Sequence, residues 1–441
     1  MLVYRGDELF CDGHAIARLA GCLPTPFFLF SEQALAENYH RLARPVSELP
    51  GGGCIDYCVK TNHELALLHL IRGLGAGAMV SCGWELELAL AAGFDPARIS
   101  FHGPCKTAKE LHQAVTAGVG LIHVYSSEEI DELNGIAGGN GRRMNVSLRL
   151  PTPGPRWLRG PAGWYAQRLG IPWEQAAGLA VRSSTLPWVR PVGLSVHLGT
   201  HVTHPAPYRQ ALRSLVRLAR ELAHTGNPLR MITLGGGWPS ETLQRVRLKT
   251  LIRGTAVGER PPTLPAAMRL AQQVAAAFRA EIERSRLAEP PLLRLEPGRG
   301  LVGSSGVLVT RVRALRGRWA FVDGSRNYLP ERLLTSRRLI LPSVRRTGNP
   351  LRRSHISGAT LNTMDVLALG VKLPVLHVGD VLAFLDAGAY SLSRACRYAG
   401  TVPAAYLITK AGKVVQILRG DRYADLVASM VPPDQWTSVL G

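Results

Sequence analysis

The chain has 441 residues, 46% hydrophobic and 19% charged, with a formal net charge of +20 at pH 7. It is too long for one ordinary core, and no uncharged apolar run approaches the roughly 18 residues that cross a bilayer, so a membrane-spanning protein is excluded. Only seven of the 52 basic residues are lysine, and even the densest run, SRRLILPSVRRTGNPLRR from Ser336, lacks interleaved aromatics; a solvated basic surface is expected and no nucleic-acid site, with an acidic substrate or carrier as the partner such charge favours.

The opening MLVYRGDELFCDGH reaches Asp7 without the apolar core of a secretory signal, so a cytoplasmic location is expected. TPFFLF, residues 25–30, reads as a strand, and Ser31 as the N-cap of a helix from Glu32 to Leu42. From there strand-like runs alternate with helix-period segments. The strands are Cys54 to Val59, Ala76 to Val80, Ile99 to Phe101, Leu121 to Val124, Met144 to Leu150, Pro191 to Val196, Met231 to Leu234 and Leu292 to Leu295. Helices are expected at His63 to Arg72, Trp84 to Ala92, Ala108 to Ala117, Ser127 to Ile136 and Ala206 to His224. Such alternation forms parallel βαβ units, and eight of them can close into a (β/α)8 barrel.

Beyond residue 300 the pattern changes to short β-type runs, among them LVGSSGVLVTRV, WAFVDG, DVLAFLDAGAY and AAYLITKAGKVVQILRG. The expected organisation is therefore a strand segment at 1–30 packing with a β domain, a barrel at 31–300, and a mainly β domain at 301–441. The stretches 151–164 and 239–262 are long for barrel loops, which points to function or small extra helices. Seven cysteines, odd in number and never spaced CxxC, suggest reduced thiols with no disulfide framework and no metal.

In a (β/α)8 barrel the reactive groups lie at the C-terminal ends of the strands. YCVKTN with Lys60 follows the first strand and HLGTH with His197 the sixth; LGGGWP with Gly235, Gly236 and Gly237 follows the seventh, and EPGRG with Glu296 and Arg299 the eighth. Singly these read as a surface cation, a structural histidine, a turn and a loop with an incidental ion pair. Converging on one barrel face, they meet the needs of pyridoxal 5'-phosphate (PLP). Lys60 supplies an amine for a Schiff base, Glu296 a carboxylate for the ring nitrogen, the glycines a close backbone approach to phosphate, Arg299 a guanidinium, and His197 a flat ring to cover the cofactor.

In these motifs the chain resembles the fold-type III PLP-dependent decarboxylases, the group containing diaminopimelate, ornithine and arginine decarboxylases. TPFFLFSEQALAENY, YCVKTN, SCGWELELALAAG, FHGPCK, HLGTHVT, LGGGWP, LEPGRGLVG, VDG and DAGAYSLS follow in family order along nearly the whole chain. The resemblance implies a barrel of alanine-racemase type with Lys60 as the Schiff-base residue and His197 stacked on PLP. It also implies Thr200 and Gly235 to Gly237 at the phosphate, Glu296 at the pyridine nitrogen, Arg299 near the phosphate and Tyr390 beside the cofactor. A homodimer with active sites at the interface is implied too.

The substrate-reading half departs from the family. Where its members carry a partner-supplied Cys followed by an acidic residue, GATLNTMD places Leu361 and Asn362. Leucine cannot relay a proton, and Asn362 suggests a neutral distal contact. Met79 stands where the family often has Asp, and LPERLL replaces the segment used for diaminopimelate. Arg332, Leu361 and Asn362 are candidate substrate contacts; Arg326, His201, Arg168, Trp157 and Trp164 are further pocket candidates. The expected activity is decarboxylation of an amino acid or amino-acid conjugate in a specialised siderophore or secondary-metabolite pathway. The alternatives are diaminopimelate decarboxylase or a racemase on the same scaffold, or a non-catalytic regulatory paralogue.

Overall fold

Side chains along a strand point alternately to its two faces, so a short strand buried on both faces is apolar on the helix side and free to vary on the other. The computed structural model describes residues 1–153, 168–240, 242–245, 266–330, 336–346, 348 and 350–436. A small antiparallel meander opens the chain: β1 (Leu2–Arg5), β2 (Glu8–Cys11) and β3 (His14–Ala15). β4 (Phe27–Ser31) follows. Then come β5 (Gly53–Cys58), β6 (Gly77–Val80), β7 (Ile99–Phe101), β8 (Leu121–Val124), β9 (Met144–Leu150), β10 (Val189–Val196), β11 (Met231–Leu234) and β13 (Leu292–Leu295), which close into one barrel. All its neighbouring strands are parallel. The eight expected strands are these eight, with ends differing by two residues at most.

The helices that wrap the barrel follow from their apolar stripes. Ala206–His224 buries Tyr208, Ala211, Leu212, Leu215, Val216, Leu218, Ala219 and Leu222, and each large apolar side chain so buried contributes about 1.5–3 kcal/mol. Ala108–Ala117 starts on a capping box between Thr107 and Glu110 and stops at Gly118, whose φ of 79° suits glycine. Ser31 caps the helix Glu32–Ser47 by accepting from Ala34 N–H. That helix runs five residues beyond the expected Leu42 and carries Pro45 inside it. Among the described residues, no helix is long and apolar enough to cross a membrane.

β4 explains the run TPFFLF. It is buried along its whole length, antiparallel to β14 (Gly306–Arg316) and parallel to β21 (Ala404–Ile408), so both its edges are hydrogen-bonded within the C-terminal sheet. β14 also pairs with β15 (Trp319–Val322) and β20 (Val381–Phe384). β12 (Leu243–Arg245) and β16 (Ser336–Arg338) form a separate two-stranded ribbon. The loop after β20, DAGAYSLS, leaves this sheet and reaches the mouth of the barrel.

Candidate active site

The barrel interior can be read off by counting in twos. Asp56, Ser100 and Arg294 meet inside it: Ser100 Oγ donates to Asp56 at 2.9 Å, and Arg294 Nη1 lies 2.5 Å from the same carboxylate. Two residues onward along the same strands come Cys58, His102 and Glu296, and two more bring β5 to Lys60. β8 and β10 contribute His123 and Ser195, whose Nδ1 and Oγ are 3.0 Å apart. Inward positions thus climb from an ion-paired floor to a ring of functional groups at the C-terminal rim.

At that rim lies a cleft of about 570 Å³ lined by Cys58, Lys60, Met79, His197, Thr200, Gly236, Gly237, Glu296, Arg299, Tyr390 and Arg394, among others. Lys60 sits in a single 3-10 turn, Val59–Thr61, and its side chain is open to the cleft. The turn is tied to the C-terminal sheet. Tyr390 N–H and Ser393 Oγ–H both donate to Thr61 O, at 2.8 and 2.9 Å, and Asn62 Nδ2 donates to Gly388 O at 3.0 Å. Gly388 must be glycine for this docking, because a Cβ there would lie 1.8 Å from Val302 O. Gly388→Ala is therefore expected to cost at least about 1–3 kcal/mol through overpacking and to weaken cofactor retention, measured by thermal unfolding and by PLP dissociation.

Charge at the site is arranged in layers. Glu296 is 1% exposed, and His102 Nε2 lies 2.7 Å from its Oε1. Burial holds His102 and His123 well below the usual imidazole range, with Arg149 and Lys106 adding to the effect on His102 and His102 adding to that on His123. Burial, then Arg149 and Lys60, pushes His197 down to about 3. All three imidazoles are neutral at pH 7. A thiolate at Cys58 raises the Lys60 ammonium and burial lowers it, but burial also pushes the Cys58 thiol upward. With Tyr390 and Glu85 adding to the rise, the Lys60 ammonium is held above its ordinary range.

Arg299 Nη1 lies 2.8 Å from Asp386 Oδ2, both groups buried, and its guanidinium stands 5.3 Å from the Tyr390 ring centroid. His201, Asp386 and Tyr390 have φ of 51°, 58° and 53°. Such backbone is costly outside glycine and collects where function demands it. The LGGGWP turn forms a cradle that side chains would fill. A Cβ at Gly235 would lie 3.0 Å from His197 Nδ1, one at Gly236 3.0 Å from His197 Cε1, and one at Gly237, where φ is 101°, 2.8 Å from Gly199 O. Gly235 N–H is taken by Val196 O at 2.8 Å, so Gly235 supplies closeness, while Gly236 and Gly237 line the cleft itself.

Residues 35–303 match the family model described as the pyridoxal binding domain of pyridoxal-dependent decarboxylases. The chain belongs to that family. The diaminopimelate decarboxylase of Pseudomonas aeruginosa is 31% identical over 438 residues, covering 97% of this chain and 99% of that protein, and the one from Aquifex aeolicus is 28% identical over 433 residues, covering 97% and 96%. The crystal structure of the M. jannaschii diaminopimelate decarboxylase in complex with L-lysine matches with a TM-score of 0.86 at 26% identity, covering 99% of each chain. The protein is thus a PLP-dependent carboxy-lyase acting on an amino acid, with an alanine-racemase-type barrel and a mainly β C-terminal domain. The residues present fit the cofactor: an amine open to the cleft, a side-chain-free cradle with N–H groups, and a buried guanidinium beside it.

The decarboxylase brings together Lys60, His197, Thr200, Gly235 to Gly237, Glu296, Arg299 and Tyr390, which the sequence points to. Arg332, Trp157 and Trp164 lie outside the described residues. Leu361 is 99% exposed, and Asn362 beside it is exposed as well. His102, His123, Tyr125 and Arg149 are missed by motif reading. Period-two counting finds them, since Ser100 and His102 share one face of β7 and its extension, as do His123 and Tyr125 for β8.

Proposed function

We propose that the chain decarboxylates diaminopimelate or a close analogue, holding PLP through Lys60. The observation that carries this reading is the Lys60 amine opening into the same cleft as Glu296, His197 and the glycine cradle, on a chain matched end to end by diaminopimelate decarboxylases. PLP, when bound, supplies an electron sink for the pair left as CO2 departs. Gly236 and Gly237 N–H groups and Arg299 hold its phosphate, with Thr200 at the rim. His197, neutral, packs on the ring without adding positive charge. Glu296 faces the pyridine nitrogen and keeps a proton there. Lys60, two residues beyond Cys58, is placed to move a proton at the reacting carbon, and Tyr390, fixed by its own backbone to the lysine turn, walls the site.

A homodimer with shared sites is supported by the turn that carries Leu361. Asp365 braces this turn, accepting from Arg326 N–H at 2.8 Å, Thr360 Oγ–H at 2.7 Å and Ser325 Oγ–H at 3.1 Å. The tip it supports presents Leu361 and Met364, 99% and 66% exposed. A rigid apolar tip suits a seat on a second copy. Sedimentation should give a dimer, and Leu361→Asp should shift it toward monomer and lower turnover together.

A second reading is favoured by the same tip and by Arg394. Leu361 and Asn362 offer no carboxylate to a distal ammonium, while Arg394 lines the cleft as a cation. An amino acid ending in a carboxylate without an ammonium would suit them, including a conjugate of the kind made in specialised pathways. Incubation of the PLP-loaded enzyme with meso-diaminopimelate is expected to release CO2 and form lysine. Were CO2 to come from carboxylate-ended analogues and not from diaminopimelate, the second reading would replace the first.

A further inference from the structure

Glu296 is held from behind by a pair of histidines from adjacent strand ends. The His102 and His123 rings stack with centroids 3.5 Å apart and planes 16° from parallel. His102 Nε2 is 2.7 Å from Glu296 Oε1, and His123 Nε2 is 3.7 Å from the same oxygen. The far side of each ring is also occupied, His102 Nδ1 by Tyr125 OH at 3.0 Å and His123 Nδ1 by Ser195 Oγ at 3.0 Å. Lys106 Nζ donates to Gly103 O and to His123 O, each at 2.8 Å, and so ties the ends of β7 and β8 together beneath the stack.

These contacts dictate the tautomers. A carboxylate only accepts, so His102 Nε2 carries the proton and its bare Nδ1 accepts from the Tyr125 hydroxyl. His123 is fully buried, and its Nε2 has no hydrogen-bond partner among the described residues. A proton on that nitrogen places partial positive charge 3.7 Å from Oε1, whereas a lone pair would place negative charge there; the Nε2–H form is therefore the one that fits. Two imidazolium rings cannot stack at 3.5 Å without solvent, and Lys60, Lys106 and Arg149 surround them with positive charge. Oε1 is thus held by one hydrogen bond, from His102, with the His123 ring edge 3.7 Å away as a weaker neighbour. Oε2 is the oxygen left for the cofactor; it lies near Gly235, where a Cβ would be 3.3 Å from it, and Glu296 lines the cleft.

We infer that His102 and His123 are positioning residues that anchor Glu296 through Oε1, so that Oε2 meets the pyridine nitrogen of the bound cofactor with its negative charge undivided. A cationic partner in their place would share the carboxylate's charge and loosen the ring proton. Neutral N–H donors orient the group and leave that charge facing the ring. The inference rests on Glu296 being the pyridine partner.

The test compares PLP with 1-deaza-PLP, in which carbon replaces the ring nitrogen, using the dissociation constants of both for the apoprotein. Wild type should prefer PLP by about ten- to hundredfold, the range of a hydrogen bond to a charged group. His102→Leu, which loses the donor, should bring the preference to within about threefold, and His102→Gln, whose amide can still donate, should retain most of it. His123→Phe keeps the stack without the N–H and should lose a smaller part. If His102→Leu does not fold, His102→Asn, whose amide stops short of Oε1, gives the same contrast. An unchanged preference in the donor-free variant would overturn the inference, because a purely structural loss weakens both cofactors alike. Absence of any preference in wild type would instead remove Glu296 from the pyridine nitrogen.

Discussion

Replacing Lys60 with alanine is expected to abolish covalent capture of the cofactor and to lower decarboxylation by at least about 10³-fold, the scale of losing a positioned proton-transfer group. None of the bonds that pin its turn uses the lysine side chain. Thr61 O is held by Tyr390 N–H and Ser393 Oγ–H, and Asn62 N–H donates to Val59 O at 3.1 Å. Lys60→Ala should therefore fold as wild type does. Lys60→Arg should be equally inactive, since a guanidinium keeps its proton and cannot attack the cofactor aldehyde. Borohydride reduction of the PLP-loaded protein, followed by peptide mapping, should label residue 60 alone. Among the described residues Lys106 is the other lysine near the barrel mouth, and its side chain is 1% exposed and engaged by Glu129, Gly103 O and His123 O. Label at another lysine in Lys60→Ala would sink the assignment.

How much of this was legible beforehand depended on whether a residue announces itself in one dimension. The barrel strands were legible because a short run buried on both faces is apolar and bounded by turns, and Lys60, His197, the glycines and Glu296 because their motifs sit at strand ends. TPFFLF read as a strand, but its central place between β14 and β21 joins segments almost 280 residues or more apart and has no local signal. The extension of the first helix through Pro45 was hidden for a similar reason: proline marks a stop locally, and packing against the barrel overrides it. The histidine pair was hidden differently. FHGPCK and LIHVY each show one histidine in an apolar context, where a satisfied core residue is the ordinary reading. Only closure of the barrel places β7, β8 and β13 so that both rings reach one carboxylate. The substrate side was least legible, since Leu361 and Asn362 lie on an exposed tip and, in the dimer we propose, take their meaning from a second copy.

Asp386→Ala should be the most destabilising single change at the site. Asp386 is fully buried; its Oδ2 lies 2.8 Å from Arg299 Nη1, Thr242 Oγ–H donates to Oδ1 at 3.2 Å, and Arg338 donates to its backbone carbonyl. Removing the carboxylate strips a buried countercharge from a guanidinium that is itself 7% exposed, a loss of about 3–5 kcal/mol for a broken buried pair. Alanine at a φ of 58° adds roughly 1–2 kcal/mol that aspartate and asparagine largely avoid. Asp386→Asn keeps the backbone preference and an acceptor for Arg299, and should lose less than half as much. The cofactor sharpens the contrast. If the PLP phosphate sits against Arg299, it supplies a second anion, so the loss in Asp386→Ala should be smaller in PLP-loaded protein than in apoprotein. Urea unfolding of both forms measures this directly. Equal losses with and without PLP would place the phosphate away from Arg299, and a loss in Asp386→Asn as large as in Asp386→Ala would show that charge alone, and not backbone geometry, sets the effect.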